Sequence, residues 1–162
     1  MRLTPESYEA LTGERFELPE KPSIAVLPFQ NMNGDPEHEY FADGMSEDII
    51  TALSKMPDLI VIARNSTFVY KDRAVDIRQV GQELGVRHVL EGSIRKSGDR
   101  FRITAQLVSA ESGDHIWAER YDRTLDDVFA VQDEITRNII IELRVKLGRG
   151  IVKGAPRPVR QT

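Results

Sequence analysis

The sequence contains no cysteine. That excludes disulfides, thiolate nucleophiles and thiolate zinc sites together. It suits cytoplasm and periplasm equally. No apolar run approaches the ~18 residues of a membrane span. The first residues, Met1-Arg2-Leu3-Thr4-Pro5-Glu6, lack the apolar core of a signal peptide. No glycine-rich phosphate loop follows any predicted strand, and the spacing of Gly81 and Gly85 fits neither the Walker nor the dinucleotide pattern. No serine occupies a Gly-x-Ser-x-Gly elbow. The histidines His38, His88 and His115 stand singly along the chain. Positive charge is not in excess: the net charge is −4. A generic nucleic-acid binder would carry a basic footprint instead. These absences predict no cofactor, no catalytic centre and no nucleic-acid partner.

What is present is an ordinary globular composition, 40% hydrophobic and 30% charged over 162 residues. A chain of this length buries roughly 70% of its unfolded surface and folds without staples. Residues 1–22 are polar and carry Pro5, Pro19 and Pro22, which predicts an arm or linker. Residues 148–162, with Gly148, Gly150, Gly154, Pro156 and Pro158 among basic residues, read as a second linker. One domain over 23–147, taken from a longer protein, is the expected organisation.

Ser23–Phe29 is a continuous apolar run, the pattern of a strand buried on both faces. Asp35-Pro36 predicts a helix start, with a break near Gly44 and Asp43 as the alternative start. Ala42, Met45, Ile49, Leu53 and Met56 recur at helical spacing, and the helix ends before Pro57. Leu59–Ile62 is a second short strand, followed by a polar segment over 64–73. Asp76 caps a second helix, with Gln79 as a capping-box partner and Gly85 as the left-handed C-cap. Val86–Arg95 is a third strand with a bulge expected at Gly92. Phe101, Ile103, Ala105 and Leu107 alternate with polar residues in a fourth, and Ile116–Tyr121 is a fifth. A last helix over 125–147 carries Val128, Val131, Ile135, Ile139 and Leu143. The fold class is α/β, in the order β-α-β-α-β-β-β-α. Right-handed crossovers and short hairpins give a five-stranded mixed sheet in the order 2-1-3-4-5, in a three-layer α/β/α arrangement with helices on both faces.

Three groups of residues are candidates for function. The segment Asp35-Pro36-Glu37-His38-Glu39, with Asp43, Glu47 and Asp48, gathers carboxylate oxygens of the kind calcium or magnesium takes. Their spacing matches no calcium loop, and favourable placement at a helix N-terminus already explains them. Asn31 and Asn33, with Arg64, Asn65 and Ser66, border the carboxyl ends of the parallel strands. Ligands gather there in open α/β sheets, so this crevice could take an anion or small ligand. Ordinary polar loops would look the same. His115, Trp117, Glu119 and Tyr121 share one face of the fifth strand. They could meet a protein partner, or the last helix could cover them.

Lys21–Phe29, Asn31–Gly44, Val61–Phe68, Val80–Val86, Val89–Arg95 and Ile116–Asp122 together resemble, in register, the TolB-like amino-terminal domain. The resemblance runs from Pro22 to Leu147. It implies an anticodon-binding-domain-like α/β/α fold and no catalytic or metal residues. It also implies a place inside bacterial signalling proteins, after an adenylate or guanylate cyclase domain and before tetratricopeptide repeats. Relatives of another kind follow a winged-helix domain and a membrane span. The resulting expectation is a non-catalytic regulatory or protein-interaction domain, with a small-ligand sensor as the alternative. Its partners would be other domains of the parent chain, a separate protein, or a second copy meeting through the fifth strand or last helix. The segment itself would make no membrane contact. Its location would be cytoplasmic, or periplasmic if a membrane span precedes it in the parent.

Overall fold

A computed structural model describes residues 22–152, with side chains described through residue 143. The expected arm over 1–22 therefore lies almost wholly outside the described residues, as does most of the expected linker over 148–162.

Strand β1 (Ser23–Val26) is buried at all four positions. It ends before Phe29, where the apolar run ends, because Pro28 has no N–H to give to a ladder. Leu27 N still donates to Leu90 O at 2.9 Å. Phe29 N turns instead to Ser46 Oγ. The chain rejoins the sheet as a short strand, β2 (Gln30–Asn31), in a stretch expected to be a turn.

Helix α1 (Pro36–Ser54) begins where the Asp-Pro pair predicts. Asp35 Oδ1 accepts from His38 N at 2.9 Å, and Pro36 takes the first turn. Gly44 does not break the helix. A glycine there costs about 1 kcal/mol, which the burial of Ala42, Met45, Ser46, Ile49 and Leu53 on either side outweighs. Strand β3 (Ile60–Val61) is shorter than the apolar run around it.

The polar segment that follows is not an open loop. It forms a short helix, α2 (Arg64–Thr67), and a 3-10 turn over Phe68–Tyr70. Helix α3 (Ile77–Leu84) is capped by Asp76 and closed by Gly85 at φ 69°, as expected. The capping box does not form. Gln79 Nε2 donates forward to Glu83 Oε2 at 3.0 Å, one helical turn on.

Strands β4 (His88–Ser97), β5 (Arg100–Ser109) and β6 (His115–Thr124) form two antiparallel hairpins. A second 3-10 turn (Leu125–Asp127) leads to α4 (Val128–Val152), so the helix passes Leu147 and enters the segment read as linker.

The sheet order is β3-β1-β4-β5-β6, with β2 beside β4. The five expected strands thus take the expected 2-1-3-4-5 arrangement, and β2 is a sixth. Strands β1, β3 and β4 run parallel. The register explains Gly92. Val26 pairs with Leu90, and Gln30 pairs with Ser93. Leu27, Pro28 and Phe29 therefore stand against Glu91 and Gly92 alone. The bulge lies in the neighbouring line, while Gly92 itself pairs regularly with Ala105. The other irregularity falls between Leu107 and Val108 in the β5–β6 pairing.

The two faces of the sheet are unequal. Ile24, Val26, Leu90, Ile103 and Leu107 pack with α1 and α4 into the larger core, which includes Ile49, Val131, Ile135 and Ile139. Ala25, Leu27 and Val89 form a smaller cluster with Tyr70, Val80, Val86 and Ala110 under α3. Beyond that cluster the expected second helical layer stops. Ser93, Thr104 and Gln106 are half-buried there, and Arg102, Arg120 and Asp122 are exposed.

Candidate functional site

The carboxyl ends of the parallel strands hold most of the polar residues marked out by the sequence. They do not form one crevice. Asn31 Nδ2 donates to Asp35 O at 2.7 Å and to Glu39 Oε1 at 3.3 Å. Its Oδ1 accepts from the backbone of Asn33 and Gly34. Asn33 exchanges two hydrogen bonds with the backbone of Lys96, 2.7 Å and 3.1 Å long. Both asparagines are thereby committed to holding the turn between β2 and α1.

Arg64, at the start of α2, reaches α1 farther along, at Glu47. Its Nε donates to Glu47 Oε2 at 2.7 Å, and its guanidinium sits 4.1 Å above the Phe68 ring. Asn65 and Ser66 are exposed beside it, whereas Thr67 is fully buried. Between these groups stands Lys71, which the sequence did not mark. Lys71 Nζ lies 2.6 Å from Asp43 Oδ2 and 2.8 Å from Glu39 Oε2. Those two carboxylates raise its pKa well above the usual lysine range, Asp43 contributing first. In return the Lys71 bond holds the Glu39 carboxyl below its ordinary value, with help from Asn31. Glu39, Asp43 and Glu47 recur every fourth residue, so they form one acidic stripe on α1. That stripe clamps the β3–α3 connection through Lys71 and Arg64.

Asp35, Glu39, Asp43 and Glu47 are thus used for capping and pairing, with one Asp43 oxygen, Oδ1, buried without a hydrogen-bond partner. Asp35 also binds His38 Nδ1 at 2.6 Å. The backbone N–H of His38 keeps the Asp35 carboxyl below its ordinary value. Among the described residues, no group of three metal-ligating side chains converges. The i, i+4 spacing of Glu39, Asp43 and Glu47 was the one signal that a basic partner should be sought.

The cleft at the switch point opens on the other side of the sheet. It holds about 180 Å³ and is lined by Pro28, Arg73, Glu91, Ser93, Thr104 and Gln106, among others. Ser93 and Thr104 share a hydrogen bond of 2.6 Å, and Gln106 donates to Glu91. Arg73 donates to Val69 O and sits over the Tyr70 ring.

On β6, the patch divides. Tyr121 is buried, and its hydroxyl accepts from Asn138 of α4. Burial raises its pKa. Trp117 is half-buried against the larger core. Glu119 is exposed on the same face, but His115 does not share it: with Ile116 as the extra residue, His115 pairs with Val108, on the opposite face from Trp117 and Tyr121. The last helix therefore covers part of this face.

Over residues 20–147 the sequence matches the family described as HilA/YgeH-like transcriptional regulator, second domain. The chain belongs to this family. As a second domain of that kind it is 64% identical, over 134 residues, to the protein named "Putative adenylate cyclase 3" of Rhizobium meliloti (strain 1021). That match covers 83% of this chain and 23% of the relative, so the chain spans under a quarter of that protein's length. The HilA/YgeH-like domain also has the TolB-like fold. It is similar to TolB from Acinetobacter baumannii with a TM-score of 0.57 at 18% identity, covering 76% of this chain and 28% of that one. Lipoprotein GNA1162 from Neisseria meningitidis gives 0.54 at 20% identity, over 74% of this chain and 96% of that one. No helix among the described residues is long and apolar enough to cross a membrane.

Proposed function

We propose that this chain is a non-catalytic regulatory and protein-interaction domain of a larger bacterial signalling protein of the adenylate cyclase-like kind. One observation carries the reading. The same domain makes up a minor part of a protein named for adenylate cyclase activity and is the second domain of regulators named for transcription. A module shared between two different outputs supplies what they have in common, so the output chemistry belongs to other parts of each parent. The site geometry supports this, since Asn31, Glu39, Asp43, Glu47, Arg64 and Lys71 hold the β2–α1 turn and clamp the β3–α3 connection. Partners are then other domains of the parent, a cyclase or tetratricopeptide repeats, or a separate protein. The test is direct. The purified chain, given ATP or GTP with magnesium or manganese, should make no cyclic nucleotide. Deleting 23–147 from a cyclase parent should change how its activity responds without abolishing its catalytic residues. Cyclic nucleotide formed by the isolated chain would overturn the reading.

The alternative is a small-anion sensor, favoured by the cleft lined by Arg73, Ser93 and Thr104. Its volume lies below the ~300–1,000 Å³ of typical ligand pockets, which restricts it to inorganic anions or similarly small groups. Phosphate, sulfate and carboxylates should then raise the melting temperature of the native chain but not of Arg73→Ala. Equal melting temperatures with and without these anions would remove the sensor reading.

A further inference from the structure

Strand β6 is the outer strand of the sheet, ten residues long, and among the described residues only β5 pairs with it. Such an edge presents a row of backbone groups ready to pair with another strand. The opposite edge is different, since β3 has two residues. The irregularity between Leu107 and Val108 disturbs β6 only near His115 and Ile116. The stretch Ala118–Thr124 pairs regularly with β5 and contains no proline.

The charges on this stretch have an unusual order: Glu119, Arg120, Tyr121, Asp122, Arg123. Reversing the direction of the strand about Tyr121 replaces each charge by its opposite. We propose that β6 is a self-complementary docking edge, and that two copies of this chain join their sheets by antiparallel pairing of β6 centred on Tyr121.

In that register Arg120 of each copy faces Asp122 of the other, and Glu119 faces Arg123. The symmetry makes four opposite-charge pairs. Every neighbouring register fails. A shift of the centre to Glu119, Arg120, Asp122 or Arg123 places that residue opposite its own copy, like charge against like. Centring between two residues would oppose side chains that point to different faces, which a regular ladder forbids. Charges along an edge strand normally deter pairing. Here they deter every register centred between Glu119 and Arg123 but one.

Pairing would replace weak local contacts with exposed side chains: Arg120 N–H donates to Glu119 Oε1 at 3.2 Å, and Asp122 O accepts from Arg100 and Arg123 at 3.4 Å and 3.2 Å. Asp122 Oδ1 binds Arg102 at 3.0 Å, while its Oδ2 is 4.0 Å from Arg120 of the same strand. That leaves Oδ2 for the Arg120 of a second copy. Glu119, Arg120 and Asp122 are exposed. Arg123 already binds Glu134 through Nη2, so the outer pairs are weaker than the Arg120–Asp122 pairs. Ala118 of one copy would face Thr124 of the other. The pairing holds whatever the parent protein does.

The absence of cysteine makes the test clean. Ala118→Cys and Thr124→Cys are prepared separately in the full chain and mixed under mild oxidation. Only the mixture should form disulfide dimers, because positions 118 and 124 face each other across the interface. Either variant alone places its two thiols roughly six residues of strand apart, about 20 Å, well beyond disulfide reach. In sedimentation runs up to roughly millimolar concentration, where weak interfaces populate, the native chain should self-associate reversibly. Arg120→Asp and Glu119→Arg, both at exposed positions, should each raise the dissociation constant by about tenfold or more. A chain that stays monomeric throughout overturns the proposal. So do cross-links formed as fast by either cysteine variant alone, or a dimer that both charge reversals leave intact.

Discussion

The backbone N–H of Phe29 donates to the hydroxyl of Ser46 across 2.8 Å, tying the end of the central strand to the middle of α1. Ser46 is fully buried, and its hydroxyl donates in turn to Ala42 O at 2.9 Å. The bond exists because Pro28 takes the chain out of the ladder just before Phe29. Ser46→Ala would leave that N–H buried without a partner, at a cost of about 1–3 kcal/mol. Denaturant unfolding should show a lower midpoint with an unchanged slope. An unchanged midpoint would mean that the Phe29 amide finds another acceptor.

Gly92 has no room for a side chain. A Cβ there would collide with Thr104 O and come within 2.5 Å of the Phe29 ring. Gly92→Ala should therefore lower stability by about 1–3 kcal/mol, the usual cost of overpacking. Phe29→Leu in the same chain should recover part of the loss, since it removes the ring edge that the new methyl strikes. Purely additive losses in the double variant would show that the ring is not what Gly92 accommodates.

Acid should loosen the clamp between α1 and the β3–α3 connection. Lys71 holds the Glu39 carboxyl below its ordinary value near 4.5. A depressed carboxylate stabilises the fold at pH values above its unfolded pKa, and that contribution disappears as pH falls through the folded value. Lys71 is shifted upward, so its own contribution is complete at neutral pH and is lost only in strong alkali. Lys71→Met should thus be less stable than the native chain at pH 7. The gap should narrow as pH drops below about 4.5. A gap independent of pH would show that the lysine acts through its methylenes and not its charge.

Much of the architecture was legible because local and global preferences agree in it. The apolar run at Ile24–Leu27, the Asp35-Pro36 start, the Gly85 stop and the alternation through Ile103 and Leu107 each have one physical reading. Other features depend on what lies across the fold. Gly92 signalled an irregularity, but the sequence could not say that the extra residue sits in the opposing line, where Phe29 needs the space. Helix α2 is polar and short, and it is held by the fully buried Thr67 and by the pairing of Arg64 and Lys71 with α1. No local pattern encodes such distant anchors. The crevice residues were expected to stand together at the carboxyl ends of the parallel strands. Asn31, Arg64 and Asn33 are instead engaged with Glu39, Glu47 and Lys96, which only the packing of α1 and the register of β4 reveal, while Asn65 and Ser66 are exposed.

The unequal faces of the sheet have a consequence for motion. Helix α1 and α4 share a broad apolar seam, whereas α3 rests on Val80, Val86, Ala110 and a few neighbours. Regions with few buried apolar contacts open at a lower free energy than the whole domain unfolds. Amide protons of α3 should therefore exchange with solvent earlier than those of α1, through a local opening that leaves β1 and β4 protected. The thin side of the sheet also carries the switch-point cleft. A partner that docked there would touch Arg73 and Val75, on the segment that leads into α3, so slower α3 exchange would report the contact before any change in global stability.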